Sequence, residues 1–227
     1  MRYDKREAKI GLLTIGQSPR DDLTPEIKAL LSPGLQIIEY GLLDKLNLSE
    51  IKSLEPEINE IPLVSRLRNG QQVELSPNKI SRLWLQALKL MQTKLNIKAA
   101  GLLCTHDFGQ QTESPIPVIF PFNYLKFLIN YILKPNSLGV VVPLASQIKA
   151  TRNKWGEHRV FVQSKSPYTQ DKSWPEIAIS LAQAKVEAVL LDCIGYKIKD
   201  KQTLQNLLKV PILLPRTVLA FALNQLF

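Results

Sequence analysis

The sequence is poor in the residues that build metal centres and cross-links. Two cysteines, Cys104 and Cys193, and two histidines, His106 and His158, are all that 227 residues contain. No Cys-x-x-Cys occurs, so a structural zinc site lacks its stock of ligands. Two thiols are too few for a disulfide scaffold. Long apolar runs are also missing. The longest candidate, Val118 to Leu133, is broken by Pro121, Asn123, Lys126 and Asn130, short of the roughly 18 uninterrupted residues a membrane span requires. The first apolar run, Ile10 to Ile15, is stopped by Gly16, Gln17 and Ser18, far too soon for the core of an export signal. A chain of this kind is expected in the cytoplasm, with its thiols reduced.

Blocks of like charge are absent too. The formal net charge is +9, which favours anionic partners. The lysines are nevertheless scattered, with no run of five or more and no aromatic-basic stripe, so a basic solvated surface is the better reading than a nucleic-acid groove. The expected partner is a small anion, a carboxylate or phosphate. Neither nucleic acid nor membrane is expected, and a homodimer is one assembly open to the chain.

What is present describes a globular α/β protein. Hydrophobic residues make up 45% and charged residues 22%, so the bulk of the chain can bury a core. Short apolar runs read as strands over Lys9–Ile15, Leu35–Tyr40, Ala99–Cys104, Val118–Phe120, Gly139–Val142, Arg159–Gln163, Val186–Cys193 and Val210–Leu214. Helical spacing covers Thr24–Leu31, Ile51–Leu54, Asn78–Leu95, Phe122–Leu133, the segment from Gln147 to Trp155, Trp174–Ala184, Lys201–Leu208 and Val218–Leu226. Arg68-Asn-Gly70 between two alternating runs predicts a hairpin. Strands alternating with helices predict parallel sheets. The linker Lys134-Pro-Asn-Ser-Leu138 suggests a boundary. The expected divisions are a polar tail 1–9, an N-terminal lobe 10–136, a C-terminal lobe 137–216 and a terminal helix 217–227 packing back on the first lobe.

Sites in such sheets lie beyond the carboxyl ends of the strands, and four strand exits carry chemistry. Gly16-Gln-Ser-Pro-Arg20 offers backbone N–H groups and a guanidinium to an anion, or is an ordinary turn with a surface arginine. Cys104-Thr-His-Asp107 places a thiol, a hydroxyl, an imidazole and a carboxylate together, or ends a strand with a small buried hydrophobe. Ser146 and Gln147 could bond a ligand or start a helix. Asp192-Cys-Ile-Gly195 again ends an apolar strand with a thiol, where Gly195 permits close backbone approach. His158, in a charged stretch, reads as solvated, and Tyr196 to Lys201 as an exposed basic helix start. The two cysteines hold like positions in the two halves. Two thiols facing each other across a cleft could remove a proton from one face of a carbon and return one to the other, with no cofactor.

The sequence resembles the AroM family at Leu12–Arg20, Gly41-Leu-Leu-Asp-Lys-Leu46, Val64–Gly70, Gly139–Pro143 with Gln147, Leu190–Tyr196 and Val210–Leu214. These pieces span nearly the whole chain in unchanged order. The resemblance implies the fold of the aspartate/glutamate racemase superfamily: two Rossmann-like lobes with parallel sheets and pseudo-twofold symmetry, a ligand between them, and a cysteine from each lobe. That superfamily includes hydantoin racemases, maleate isomerases and arylmalonate decarboxylases, some of which use one cysteine. Cys193, in Asp-Cys-x-Gly-Tyr, is similar to the second-lobe cysteine, and Cys104, in Cys-Thr-His, sits where the first-lobe cysteine belongs. The expectation is therefore a cofactor-independent racemase or isomerase, or a decarboxylase-like enzyme, with Cys104 and Cys193 as acid and base. Gly16, Ser18, Arg20, Thr105, His106, Gln147 and Gly195 would hold the substrate. The alternative is a non-catalytic sensor of an anionic metabolite.

Overall fold

The computed structural model describes residues 8–108, 114, 116–169 and 172–227. Apart from Ala8 and Lys9, the stretch read as a polar tail lies outside the described residues. The first half runs β1 (Lys9–Thr14), α1 (Thr24–Leu30), β2 (Gln36–Gly41) and α2 (Leu48–Ser53). The hairpin β3 (Leu63–Arg66) and β4 (Gln72–Leu75) follows, then α3 (Pro77–Leu95), β5 (Ala99–Leu103), β6 (Val118–Ile119) and α4 (Pro121–Phe127). A single π-helical stretch, Leu128–Leu133, prolongs α4. The second half runs β7 (Ser137–Val142), α5 (Ile148–Lys154), β8 (Arg159–Ser164), α6 (Trp174–Gln183), β9 (Ala188–Leu191), α7 (Ile198–Leu208), β10 (Ile212–Leu213) and α8 (Pro215–Asn224).

The strands form two four-stranded parallel sheets, ordered β2-β1-β5-β6 and β8-β7-β9-β10. Within each half the order is second, first, third, fourth. This makes β1 the counterpart of β7, and β5 that of β9. The central strands are buried on both faces, as β5 is along its whole length, because helices cover both sides of a parallel sheet. That burial is why they read as continuous apolar runs.

Each half also ends in a helix opened by proline, and these two helices change places. Phe122, Leu125 and Ile129 of the first half pack under Leu138, Val140, Ala188 and Leu190 of the second sheet. In return Leu219, Ala220, Ala222 and Leu223 of α8 pack under Ile10, Leu12, Leu103 and Ile119 of the first. The α8 helix also touches α1 and α4. Proline suits both starts, because the first helical turn leaves its N–H unpaired anyway.

Local chemistry sets the remaining boundaries. Ser76 caps α3 by accepting from the Lys79 N–H at 3.2 Å, and the inner stripe of that helix is Ile80, Trp84, Ala87, Leu88 and Met91. Asn47, four residues ahead of the expected Ile51, caps α2 in a reciprocal box with Glu50. The hairpin closes through Leu67 N–H to Gln71 O at 2.8 Å, with Gly70 at a φ of 92°, a conformation that favours glycine. Two surface readings change. Tyr196 is fully buried and donates its hydroxyl to Lys165 O, and His158 is half-buried with both ring nitrogens engaged, by Pro135 O and Asn130. Among the described residues no helix is long and apolar enough to cross a membrane.

Candidate active site

A cavity of about 490 Å³ opens where the strands β5, β7 and β9 end. Its wall includes Cys104, Thr105, His106 and Asp107 after β5, Val142 and Pro143 after β7, and Asp192, Cys193 and Ile194 after β9. The α5 helix adds Thr151 and Lys154, and the segment leading into β3 closes one side with Glu60 to Val64. The volume suits a small molecule.

The two thiols are built alike. Each follows the third strand of its sheet by one or two residues. Each sulfur accepts the backbone N–H two residues on: His106 N–H to Cys104 Sγ and Gly195 N–H to Cys193 Sγ, both at 3.4 Å. Both cysteines are free and buried. Burial pushes the Cys104 thiol up to about 12, against the His106 N–H and Lys154, with the negative charge Cys193 can carry adding to the rise. Burial pushes Cys193 up to about 11; the Gly195 N–H, Arg20 and Arg216 favour its thiolate, and Asp192 opposes it. In these surroundings both thiols are neutral at ordinary pH.

Charge within the cavity centres on Lys154. Its ammonium bonds Asp192 at 3.1 Å and Thr105 O at 3.3 Å, and lies 4.4 Å from the centre of the Phe122 ring. Burial first, and then Lys154, hold the His106 imidazole below its usual range, so it faces the cavity as a neutral ring. Among the described residues no group of three or more His, Cys, Asp or Glu side chains is placed to hold a metal ion.

Of the expected substrate-binding residues, Thr105, His106 and Gln147 share the cavity with the two thiols. Gln147 is already occupied: it accepts from Leu144 N–H at 3.1 Å and donates to Pro62 O at 2.9 Å, holding the segment that closes the cavity. Gly195 supports Cys193 from behind. Gly16, Ser18 and Arg20 are not among the cavity-lining residues. The Ser18 hydroxyl and N–H bond Asp44, which also accepts from Gly41 N–H at 2.8 Å and Arg68 Nη2 at 3.1 Å. Gln17 N–H donates to Arg66 O, and Arg68 Nε to Ser18 O. Three separate sequence motifs are thus one knot. Arg20 is buried, with Nε and Nη2 on both oxygens of Asp22 at 2.8 Å, Nη1 on Thr14 Oγ1 at 2.9 Å and Nη2 on Tyr168 Oη at 3.0 Å. Burial opposes its charge, but the Asp22 bond and Tyr168 outweigh that and raise its pKa.

Sequence reasoning passed over Lys154, Asp192, Tyr168 and Arg216. Lys154 was one of many scattered lysines. Asp192 stood in plain view before Cys193. Tyr168 carried no signal. Arg216 did: it is the one charged side chain after Lys209, in a mostly apolar tail.

A family model described as AroM protein matches residues 10–227. No curated protein matches the sequence. Among solved structures, the maleate isomerase Iso from Pseudomonas putida S16 superposes with a TM-score of 0.60 at 12% identity, over 96% of this chain and 92% of that one. Unliganded arylmalonate decarboxylase gives 0.59 at 13%, over 96% and 91%. Glutamate racemase from Aquifex pyrophilus gives 0.56 at 13%, over 96% and 84%. At such identities the likeness establishes a shared racemase-type α/β fold.

Proposed function

The chain belongs to the AroM family, and from that premise and the geometry of the cavity we propose that it is a cofactor-independent racemase or isomerase of a small carboxylate. The observation that carries the reading is the pairing of the thiols: Cys104 and Cys193 end counterpart strands of two sheets with the same order, and both line one cavity. In the proposed step one cysteine, as thiolate, takes the proton from the carbon next to the carboxylate and becomes a thiol. The other thiol gives its proton to the opposite face and becomes the thiolate. One proton leaves the carbon and one arrives, and the negative charge passes from one sulfur to the other. Lys154 meets the substrate carboxylate, exchanging part of its pairing with Asp192, and Thr105 and the neutral His106 offer hydrogen bonds. The apolar strand ends, Leu103, Val142 and Ile194, keep water low, which strengthens these interactions.

The test is exchange in heavy water. A panel of small chiral carboxylates is incubated with the protein, and deuterium at the carbon next to the carboxylate is followed by NMR. The native protein should label both enantiomers and interconvert them. Cys104→Ser and Cys193→Ser should each stop interconversion while labelling one enantiomer. Undiminished exchange in the doubly substituted protein would sink the reading. The neutrality of both buried thiols favours a second one, a sensor that binds the carboxylate without turnover. It predicts binding by thermal shift that survives loss of both thiols, with no labelling by the native protein.

A further inference from the structure

The two thiols have matching backbone settings but unequal foundations. Behind Cys193 lie two buried guanidiniums. Arg216, at the start of α8 and wholly buried, donates to Ile194 O at 3.0 Å and to Gly195 O at 2.9 Å. These are the two residues that follow Cys193. Arg20, from the loop after β1, holds Tyr168 Oη at 3.0 Å. That hydroxyl sits so close to Gly195 that a Cβ there would stand 2.6 Å from it. Gly195 in turn gives its N–H to the Cys193 sulfur.

Among the described residues nothing comparable lies behind Cys104. The loop after β7, counterpart of the Arg20 loop, contributes Gln147, an uncharged side chain bonded to Leu144 and Pro62. The cation nearest Cys104 in the cavity wall is Lys154, matched at 3.1 Å by Asp192. The carboxylates that balance the guanidiniums are more exposed than they are. Asp22 is 11% exposed against 3% for Arg20, and Glu26 is 32% exposed against 0% for Arg216. Water therefore screens the negative ends of these pairs more than the positive ends.

We propose that Arg20 and Arg216 are positioning residues which make Cys193 the thiol that ionises first and serves as the base, with Cys104 as the proton donor. The inference rests on the assignment of the two thiols as base and acid, and it gives that pair a direction. It also accounts for the Gly16–Arg20 motif, which builds the floor under the second-half thiol from the first half of the chain. The groups that face Cys193 are Arg20 and Asp22 from the β1–α1 loop, Tyr168 after β8, Arg216 on α8, the adjacent Asp192, and Cys104 and Lys154 across the cavity. Arg20 and Arg216 favour the Cys193 thiolate and Asp192 opposes it, whereas Cys104 has Lys154 in its favour and both Cys193 and Asp192 against it.

The test reads the sulfurs directly and needs no substrate. Iodoacetamide alkylation rates are measured between about pH 7 and pH 10 on Cys104→Ser, which reports Cys193, and on Cys193→Ser, which reports Cys104. Cys193 should react several-fold faster at each pH, because its thiolate is the more populated, a lead only partly offset by the weaker nucleophilicity of a lower-pKa thiolate. In the Cys104→Ser background, Arg20→Gln should slow Cys193 several-fold. Asp22→Asn removes a negative charge from the same floor and should speed it. A structural disturbance alone would move both in one direction. Faster alkylation of Cys104 than of Cys193, or shifts of the same sign from Arg20→Gln and Asp22→Asn, would overturn the proposal. If Arg20→Gln does not fold, the comparison of the two single-cysteine proteins and the Asp22→Asn shift decide it. Failure here leaves the proton-transfer reading intact, because that reading stands on exchange at carbon.

Discussion

Replacing Arg216 by methionine removes a cation that joins the two halves while keeping most of its aliphatic stem. On one side the guanidinium bonds Ile194 O and Gly195 O of the Cys193 loop. On the other it bonds Glu26 Oε2 at 2.6 Å and Asp22 O at 3.3 Å. Glu26 also accepts from Ile198 N–H at 3.0 Å, so it keeps one partner. Its side chain is about a third exposed and can rehydrate, which lowers the cost of leaving it without the arginine. The two carbonyls cannot rehydrate as easily. An unsatisfied buried polar group costs about 1–3 kcal/mol, and breaking a fully buried ion pair about 3–5 kcal/mol. With Glu26 discounted, a loss of about 3 kcal/mol is expected, or roughly 6–12 °C in Tm for a domain of this size. Equilibrium urea denaturation followed by tryptophan fluorescence measures it. Glu26→Gln alone should cost about 1 kcal/mol or less, and adding it to Arg216→Met should cost almost nothing more, because the pair is already broken. A loss under about 1 kcal/mol for Arg216→Met, or full additivity of the two changes, would refute the reasoning.

Two further outcomes follow from the same packing. Gly195→Ala would put a Cβ 2.6 Å from Tyr168 Oη and 2.8 Å from Pro167 Cγ, an overpacking worth about 1–3 kcal/mol. A second change, Tyr168→Ala, should recover part of that loss, and strictly additive costs in thermal denaturation would count against the contact. The raised thiols also make stability depend on alkaline pH. Their folded values, about 12 and about 11, lie above the roughly 8.5 of an unfolded cysteine. The folded chain therefore holds more protons above that value. The stabilisation is complete below it and is lost as pH climbs toward the folded values. By about pH 10 the native protein should have lost roughly 3–4 kcal/mol relative to Cys104→Ser/Cys193→Ser. Parallel pH–stability curves for the two proteins would show that the thiols are not buried as described.

Strand and helix order, the hairpin at Asn69-Gly70 and the inner stripe of α3 were legible in the sequence, because period and turn chemistry are local properties. Boundaries moved by a residue or a few where a cap decided them, as Asn47 did for α2. The likeness of Cys104 and Cys193 was legible too, since each ends an apolar run and each run is the third strand of its sheet. Charged residues were less transparent. Arg20 had the chemistry of an anion clamp, yet its guanidinium bonds groups inside the protein, on Thr14, Asp22 and Tyr168. Lys154 looked like any other surface lysine, yet it stands in the cavity wall.

The sequence by itself determined that the strands would be buried, that they would alternate with helices, and that two thiols would stand at strand ends. These follow from hydrophobic period and from residues a few places apart. Only the tertiary structure decided what each polar group faces. The loop from Gly16 to Asp22, Asp44, Arg68, Tyr168 and Arg216 meet across as many as 194 positions of chain, and the exchange of α4 and α8 between sheets brings them together. A guanidinium has the same formula on the surface and beneath a thiol. Its role is set by the carbonyls and carboxylates that burial brings to it, and no spacing along the chain records those.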